Sequence, residues 1–252
     1  MEHTKNATLS KVPAVTLTFW IIKVAATTLG ETAGDAVSMS MNLGYLVGTA
    51  IFAVVFVAVA LAQVSANRFR PILYWATIIA TTTVGTTLAD FADRSLGIGY
   101  AGGSSLLFTL LMGSLFIWHR TLGSISVESV RSSKSELFYW MTIMFSQTLG
   151  TALGDWTADT AGLGYRGGAV VFIGLLALVA AAYYFTKVSR TVLFWAAFIL
   201  TRPLGAVVGD FLDKPLKSGG LALSRYSASF ALVVFIAVCV MIFPQRAASQ
   251  NH

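Results

Sequence analysis

The sequence predicts an all-α integral membrane protein: eight transmembrane helices arising from four parallel two-helix repeats, with the N and C termini cytoplasmic. Three observations carry that expectation. The chain of 252 residues is 56% hydrophobic and only 11% charged, with a mean hydropathy of +0.75, whereas soluble domains carry roughly 25% charged residues. The same motif recurs four times, and Lys and Arg fall unevenly between alternate loops.

The repeats are found by self-comparison. The first (12–66) opens its motif helix with Phe19-Trp20 and reaches Gly30 and then Gly34-Asp35. The second (70–120) has Tyr74-Trp75, Gly85 and Ala89-Asp90, the third (135–187) Tyr139-Trp140, Gly150 and Gly154-Asp155, and the fourth (190–244) Phe194-Trp195, Gly205 and Gly209-Asp210. Leu43-Gly44-Tyr45, Ile98-Gly99-Tyr100 and Leu163-Gly164-Tyr165 follow in the first three copies, and the fourth degrades to Gly219-Gly220-Leu221. Each motif precedes a plainer apolar run, at 45–64, 101–118, 167–185 and 228–243, close to the roughly 20 residues a spanning helix needs. These second helices suit lipid or the flanks of the motif helices. The tryptophans are 55, 65 and 55 residues apart, as if a pair of repeats had been duplicated. The polar linker 121–136 joins the halves of a single membrane domain covering 1–252, and the polar start argues against a cleaved signal peptide.

Orientation follows from the loops. Lys5, Lys11, Arg68, Arg70, Arg120, Arg131, Lys134, Lys187, Arg190 and Arg246 collect on one side, against Arg94, Arg166, Lys214, Lys217 and Arg225 on the other. The positive-inside rule puts the richer side, with both termini and the linker, in the cytoplasm. The net charge of +6 is therefore a topology signal, not a nucleic-acid footprint.

Eight of the eleven acids lie in the repeat motifs. In the first motif helix Lys23, Thr27, Glu31 and Asp35 recur every fourth residue, which puts them on one helical face. The matching stripes are Thr82, Thr86 and Asp90, then Gln147, Thr151 and Asp155, then Arg202, Ala206 and Asp210. Carboxylates at membrane depth face a bundle interior or wet cavity, so the stripes are expected to surround one polar pathway. The competing expectation is that the aspartates cap helix ends or begin outer loops. The glycines have small-xxx-small spacing for close helix packing. The four repeated tryptophans read as anchors in the aromatic belt, and Tyr45, Tyr100 and Tyr165 as interface anchors or partners of the aspartates. Helix breaks near Gly30, Gly85, Gly150 and Pro203 would draw the aspartates inward.

Lys23 and Arg202 are expected to pair with carboxylates on neighbouring helices, either as structural ion pairs or as internal counter-ions that compete with a bound cation. His3, His119 and His252 lie outside the motif helices, and the lone Cys239 provides neither a disulfide nor a thiolate site. The remaining carboxylate, hydroxyl and carbonyl oxygens suit hard cations. Met39 adds one sulfur that would favour manganese.

The fourfold Trp, Gly, small-Asp and Leu-Gly-Tyr pattern resembles the bacterial membrane proteins built from four tandem two-helix repeats of unknown function, each with a characteristic Trp. The resemblance covers nearly the whole chain and implies eight spans in a bacterial inner membrane, with a loose link to aluminium or metal resistance. The fourth copy departs from the pattern at Arg202-Pro203 and Lys214-Pro215.

The expected function is small-cation transport, foremost export of a hard divalent or trivalent metal of the Mn, Mg or Al kind, with proton coupling as an option. Asp35, Asp90, Asp155, Asp210 and Glu31 are the expected cation ligands, and Asp93, Asp159 and Asp213 an outer vestibule or proton-exchange set. The expected partners are the lipid bilayer and a small inorganic cation as substrate; no cofactor and no nucleic acid are expected. A cation channel with a carboxylate ring uses the same residues, a non-transporting scaffold or sensor leaves the acids unexplained, and an intramembrane enzyme lacks a recognisable catalytic motif.

Overall fold

The computed structural model describes residues 10–248; Lys5, His3 and His252 lie outside them. Among the described residues stand eight long helices: α1 (Leu17–Asp35), α2 (Gly44–Ser65), α3 (Pro71–Asp90), α4 (Tyr100–Leu122), α5 (Ser133–Asp155), α6 (Gly164–Phe185), α7 (Arg190–Asp213) and α8 (Arg225–Ile242). Local chemistry sets their ends. The Thr16 hydroxyl accepts from the Phe19 N–H and starts α1. Pro71 opens α3, where its missing N–H costs nothing. Ser132 and Ser135 form a reciprocal capping box at α5, and Gly123, at φ 76°, ends α4 in the left-handed conformation.

The motif helices run unbroken through Gly30, Gly85, Gly150 and Gly205, so the breaks considered above do not occur. In the first three copies the aspartate is instead followed by one π-helical turn, at Ala36–Ser40, Phe91–Ser95 and Trp156–Thr160. The fourth copy has none. Pro215 stands where Ser40, Ser95 and Thr160 stand, and without an N–H it cannot donate the longer i→i−5 bond. The chain turns through Leu216–Ser218 instead.

The four motif helices form a closed ring, α1 against α3, α3 against α5, α5 against α7, and α7 against α1. Each second helix packs outside the next motif helix: α2 on α3, α4 on α5, α6 on α7, and α8 on α1. Burial follows this arrangement. In α3 and α7, 72% of the apolar window is buried, against 6% in α2, 22% in α4, 11% in α6 and 17% in α8. Those four therefore turn large apolar side chains outward, as lipid requires. Six helices are long and apolar enough to cross a membrane. The other two, α1 and α5, carry more polar residues and occupy the same ring as α3 and α7.

One pairing rule repeats around the ring. Phe19 lies 5.4 Å from Trp75, Tyr74 5.6 Å from Trp140, Tyr139 6.2 Å from Trp195 and Phe194 5.8 Å from Trp20, between ring centroids. Each repeat's first aromatic thus packs on the next repeat's tryptophan, at distances usual for aromatic pairs. The aromatic-belt expectation is corrected here: Trp75, Trp140 and Trp195 are buried in an inward aromatic layer, and Trp20 is half-buried at its edge. An amphipathic ring at a helix end reads the same from sequence whether it faces headgroups or the adjacent helix.

The segments 10–14 and 246–248 and the linker meet beyond this layer. The Ser10 hydroxyl donates to the Val127 carbonyl at 2.7 Å, the Ala14 N–H to Arg246 at 2.8 Å and the Ala248 N–H to Val12 at 2.8 Å. Lys11 pairs with buried Glu136 at 2.6 Å. The aspartates lie at the opposite end of the bundle.

The glycines carry the close approach. A Cβ on Gly205 would lie 2.2 Å from Thr27 Oγ1 and 2.8 Å from the Thr27 carbonyl carbon, whereas one on Gly113 of α4 would meet nothing within 4 Å. Gly205→Ala should therefore cost about 1–3 kcal/mol through overpacking, and Gly113→Ala should be neutral or better. Thermal unfolding of the two variants in detergent checks this; equal stability would mean that ring contacts tolerate separation.

Candidate functional site

Four layers of the ring's inner face follow from the four-residue stripe. From the aspartate end they are Asp35, Asp90, Asp155 and Asp210; Glu31, Thr86, Thr151 and Ala206; Thr27, Thr82, Gln147 and Arg202; and Lys23, Ile78, Ile143 and Phe198. None of these residues is more than 3% exposed. The axis is thus polar over three layers, becomes apolar except for Lys23, and ends on Phe19, Tyr74, Tyr139 and Phe194, with the Tyr74 and Tyr139 hydroxyls 2.6 Å apart.

The carboxylates converge. One oxygen each from Glu31, Asp35 and Asp90 lies within 4.8 Å of the others, and the same holds for Glu31, Asp155 and Asp210, and for Asp35, Asp210 and Asp213. Glu31 belongs to two of these groups and links all four motif helices. The aspartates do not serve as caps: Asp35, Asp90 and Asp155 make no side-chain capping bond to the turn that follows.

Bases neutralise them in pairs. Lys214 bridges Asp35 at 2.5 Å and Asp210 at 2.9 Å, tying α1 to α7. Arg94 bridges Asp90 at 3.1 Å and Asp155 at 2.9 Å, tying α3 to α5. Arg225 reaches Asp213 at 2.9 Å and Asp35 at 3.6 Å. Burial works against the Lys214 ammonium, but Asp210 and Asp35 outweigh it and hold its pKa above the ordinary lysine value.

Sequence reasoning missed these three partners, treating Arg94, Lys214 and Arg225 as loop charges. A signal was present: Arg94 and Lys214 each stand four residues after a core aspartate, one helical turn on, in the second and fourth copies only.

One layer deeper, Arg202 is wholly buried and closes the axis. Its Nη2 donates to Glu31 Oε2 at 2.9 Å and also to the hydroxyls of Thr86 and Thr151, so one guanidinium on α7 holds α1, α3 and α5. The expected acid partner on another helix is therefore found for Arg202. For Lys23 the expectation is corrected. Its Nζ has no hydrogen-bond or acid partner among the described residues and lies 4.1 Å from the centre of the Phe198 ring. The register explains this, since the positions level with Lys23 on the other motif helices are Ile78, Ile143 and Phe198.

The remaining candidates scatter. Thr27 donates to the Thr201 carbonyl of neighbouring α7 at 3.1 Å, while the side-chain polar atoms of Thr82 and Gln147 are buried without partners among the described residues. Asp213 joins the central acids. Asp93 packs against Gly103 of α4. Asp159 is exposed at the rim, 3.5 Å from the Tyr100 hydroxyl. Tyr45 and Tyr100 reach the aspartates through Arg94, at 3.2 Å each, and Tyr165 packs in a side cluster with Phe172 and Val207. Met39 Sδ is occupied by Arg225 at 3.3 Å.

A ring of repeated helices with an acid-lined axis, wrapped in lipid-compatible helices, defines a multi-pass membrane protein built from internal repeats. The family described as a Repeat of Unknown Function (DUF347) matches residues 18–69, 73–124, 138–189 and 193–246, and the chain belongs to this family. No curated protein and no solved structure matches it.

Removing one member of a buried ion pair strands its partner, at about 3–5 kcal/mol. Arg202→Met should destabilise the protein by that order, and adding Glu31→Gln should restore most of the loss. A double-mutant cycle on unfolding in detergent measures it; additive losses would mean the two side chains do not interact.

Proposed function

We propose that this protein is a transporter of a small hard cation across a bacterial inner membrane, acting as an exporter with its termini in the cytoplasm and all eight helices spanning. The observation that carries the reading is the convergence of carboxylates from all four motif helices on Glu31, deep in a chain that is otherwise poor in charge. Buried acids are costly in a membrane and mark ion or proton pathways. Their oxygen-only chemistry suits magnesium, manganese or aluminium better than zinc or copper.

The counter-ions supply a mechanism. Lys214 and Arg94 each bridge two aspartates on adjacent helices, so an entering cation takes over carboxylates that a side-chain base has held. Release of the base loosens α1 from α7 or α3 from α5, and binding is thereby coupled to ring geometry. Return of the base, or arrival of protons on the acids, expels the cation. Asp35, Asp90, Asp155, Asp210 and Glu31 are the ligands in this scheme, and Asp159 and Asp93 belong to the approach. The Arg202 bonds across the axis and the aromatic layer beneath favour a carrier with closed gates over an open channel. The same carboxylates fit a bound ion better than they fit a scaffold, and no catalytic role is proposed.

Flux into proteoliposomes across a panel of Mg²⁺, Mn²⁺, Al³⁺, Zn²⁺ and K⁺ tests the class. Asp155→Asn keeps side-chain volume while deleting a charge, and should lower transport of the preferred cation at least tenfold. Thr151→Ala should do less, because a hard cation loses more from a deleted charge than from a hydroxyl. Normal flux by Asp155→Asn at normal folded yield would remove the carboxylates from the mechanism.

A further inference from the structure

The layers beneath the carboxylates have an imbalance that cation transport does not use. Among the described residues, Lys23 Nζ, Arg202 Nε and Nη1, and Gln147 Nε2 are buried without hydrogen-bond partners, as are the Gln147 Oε1 and the Thr82 hydroxyl. All four residues are fully buried. Buried polar groups in folded proteins are paired with protein, water or ligand, so this cluster calls for an occupant.

The geometry brings the two cations together. Lys23 Nζ lies 4.1 Å from the centre of the Phe198 ring, and Phe198 is one helical turn below Arg202 on α7, an axial step of about 5–6 Å. The same stretch of α1 and α7 is clamped by the Thr27 bond to Thr201 and by Gly205 against Thr27. Glu31 engages Arg202 through Nη2 alone, which leaves the N–H groups at Nε and Nη1 without acceptors among the described residues.

We propose that the space between Lys23, Gln147 and Arg202 is a binding site for a small monovalent inorganic anion of halide size. The chemistry is one-sided: ammonium, guanidinium and amide donors outnumber the acceptors, which are one amide oxygen and one hydroxyl. Water would bring two further hydrogens into a layer already short of acceptors. A halide brings none and accepts from several directions. The aromatic layer on one side and the Arg202 bonds on the other exclude a large occupant. The anion joins α1 to α7 at their tightest contact, below the cation ligands and separate from them. The site stands whether or not the acids above it move cations.

The full-length protein in detergent is titrated with sodium bromide against sodium gluconate at constant ionic strength, with thermal unfolding as the readout. Bromide is also located by anomalous scattering in crystals of the same protein. A saturable rise in melting temperature is expected, with an anomalous peak between Lys23 and Arg202 and an apparent affinity at least tenfold weaker in Lys23→Met. Gln147→Leu, which leaves Lys23 and Arg202 in place, should weaken binding less and keeps the comparison open if Lys23→Met does not fold. The proposal is overturned if the unmodified protein shows no bromide peak in this layer, if ordered water alone fills it, or if Lys23→Met and Gln147→Leu both bind bromide as the unmodified protein does. Bromide binding and cation flux are read separately, so failure of either leaves the other standing.

Discussion

The structure depends on how closely four helices can approach one axis. Gly30, Gly85, Gly150 and Gly205 each receive side-chain or backbone atoms of the next motif helix: Thr82, then Gln147 and Thr148, then Arg202 and Pro203, then Thr27. Each helix offers the same pair of surfaces to its two neighbours, so the contact runs head to tail and closes after four steps, as a rotationally related assembly does. The aromatic pairs follow the same direction about three helical turns lower. A side chain in place of any of these glycines would push two helices apart and open the axis, and the inner layers would lose their contacts together.

Close approach creates the electrostatic problem that the rest of the sequence answers. Two carboxylates about 4.8 Å apart repel by roughly 3–4 kcal/mol at an effective dielectric near 20, and here such contacts occur in three overlapping groups. Strict fourfold repetition would put four aspartates on the axis with no bases. The chain departs from it in alternate copies. Arg94 and Lys214 appear one turn beyond Asp90 and Asp210, and each reaches forward to the aspartate of the following repeat, Asp155 and Asp35. A ring with fourfold packing thus carries twofold charge, which matches the 55, 65 and 55 spacing of the tryptophans and the duplicated pair it suggests. Arg202 has no such counterpart and makes the interior asymmetric.

Most of the architecture was legible because it is written in periodicities. The repeat gave helix number, the four-residue stripe gave the inner face, and low charge gave the lipid-facing shell. What escaped depends on which neighbour a side chain meets, and period alone does not encode that. Trp75, Trp140 and Trp195 have the composition and position of interface anchors, yet the adjoining repeat covers them. Lys23 looked as needful of an acid as Arg202. The two lie at different levels of the bundle, and only the Arg202 level faces Glu31. Arg94 and Lys214 were counted for topology because they follow the helices in sequence, although the π-helical turn and the Lys214-Pro215 end fold them back over the aspartates.

The two ends of the axis are closed by different chemistry, and this gives the ring a direction. At the aspartate end the closure consists of ion pairs with partly exposed bases, and such contacts exchange readily with water and ions. At the other end the aromatic side chains of four repeats interlock, and the N-terminal segment, the linker and the C-terminal segment are pinned over them by backbone hydrogen bonds and by Lys11 on Glu136. Opening there requires packed aromatics to part and several bonds to break together, since cores change between discrete arrangements rather than by continuous deformation. The ion-paired end is therefore the more readily rearranged of the two, and parting the packed end requires a concerted rearrangement of the ring. Arg202, bonded to α1, α3 and α5 from α7, sits between the two closures. Any motion that separates one motif helix from the others must break one of its bonds, which makes this single guanidinium the point where the two closures are mechanically joined.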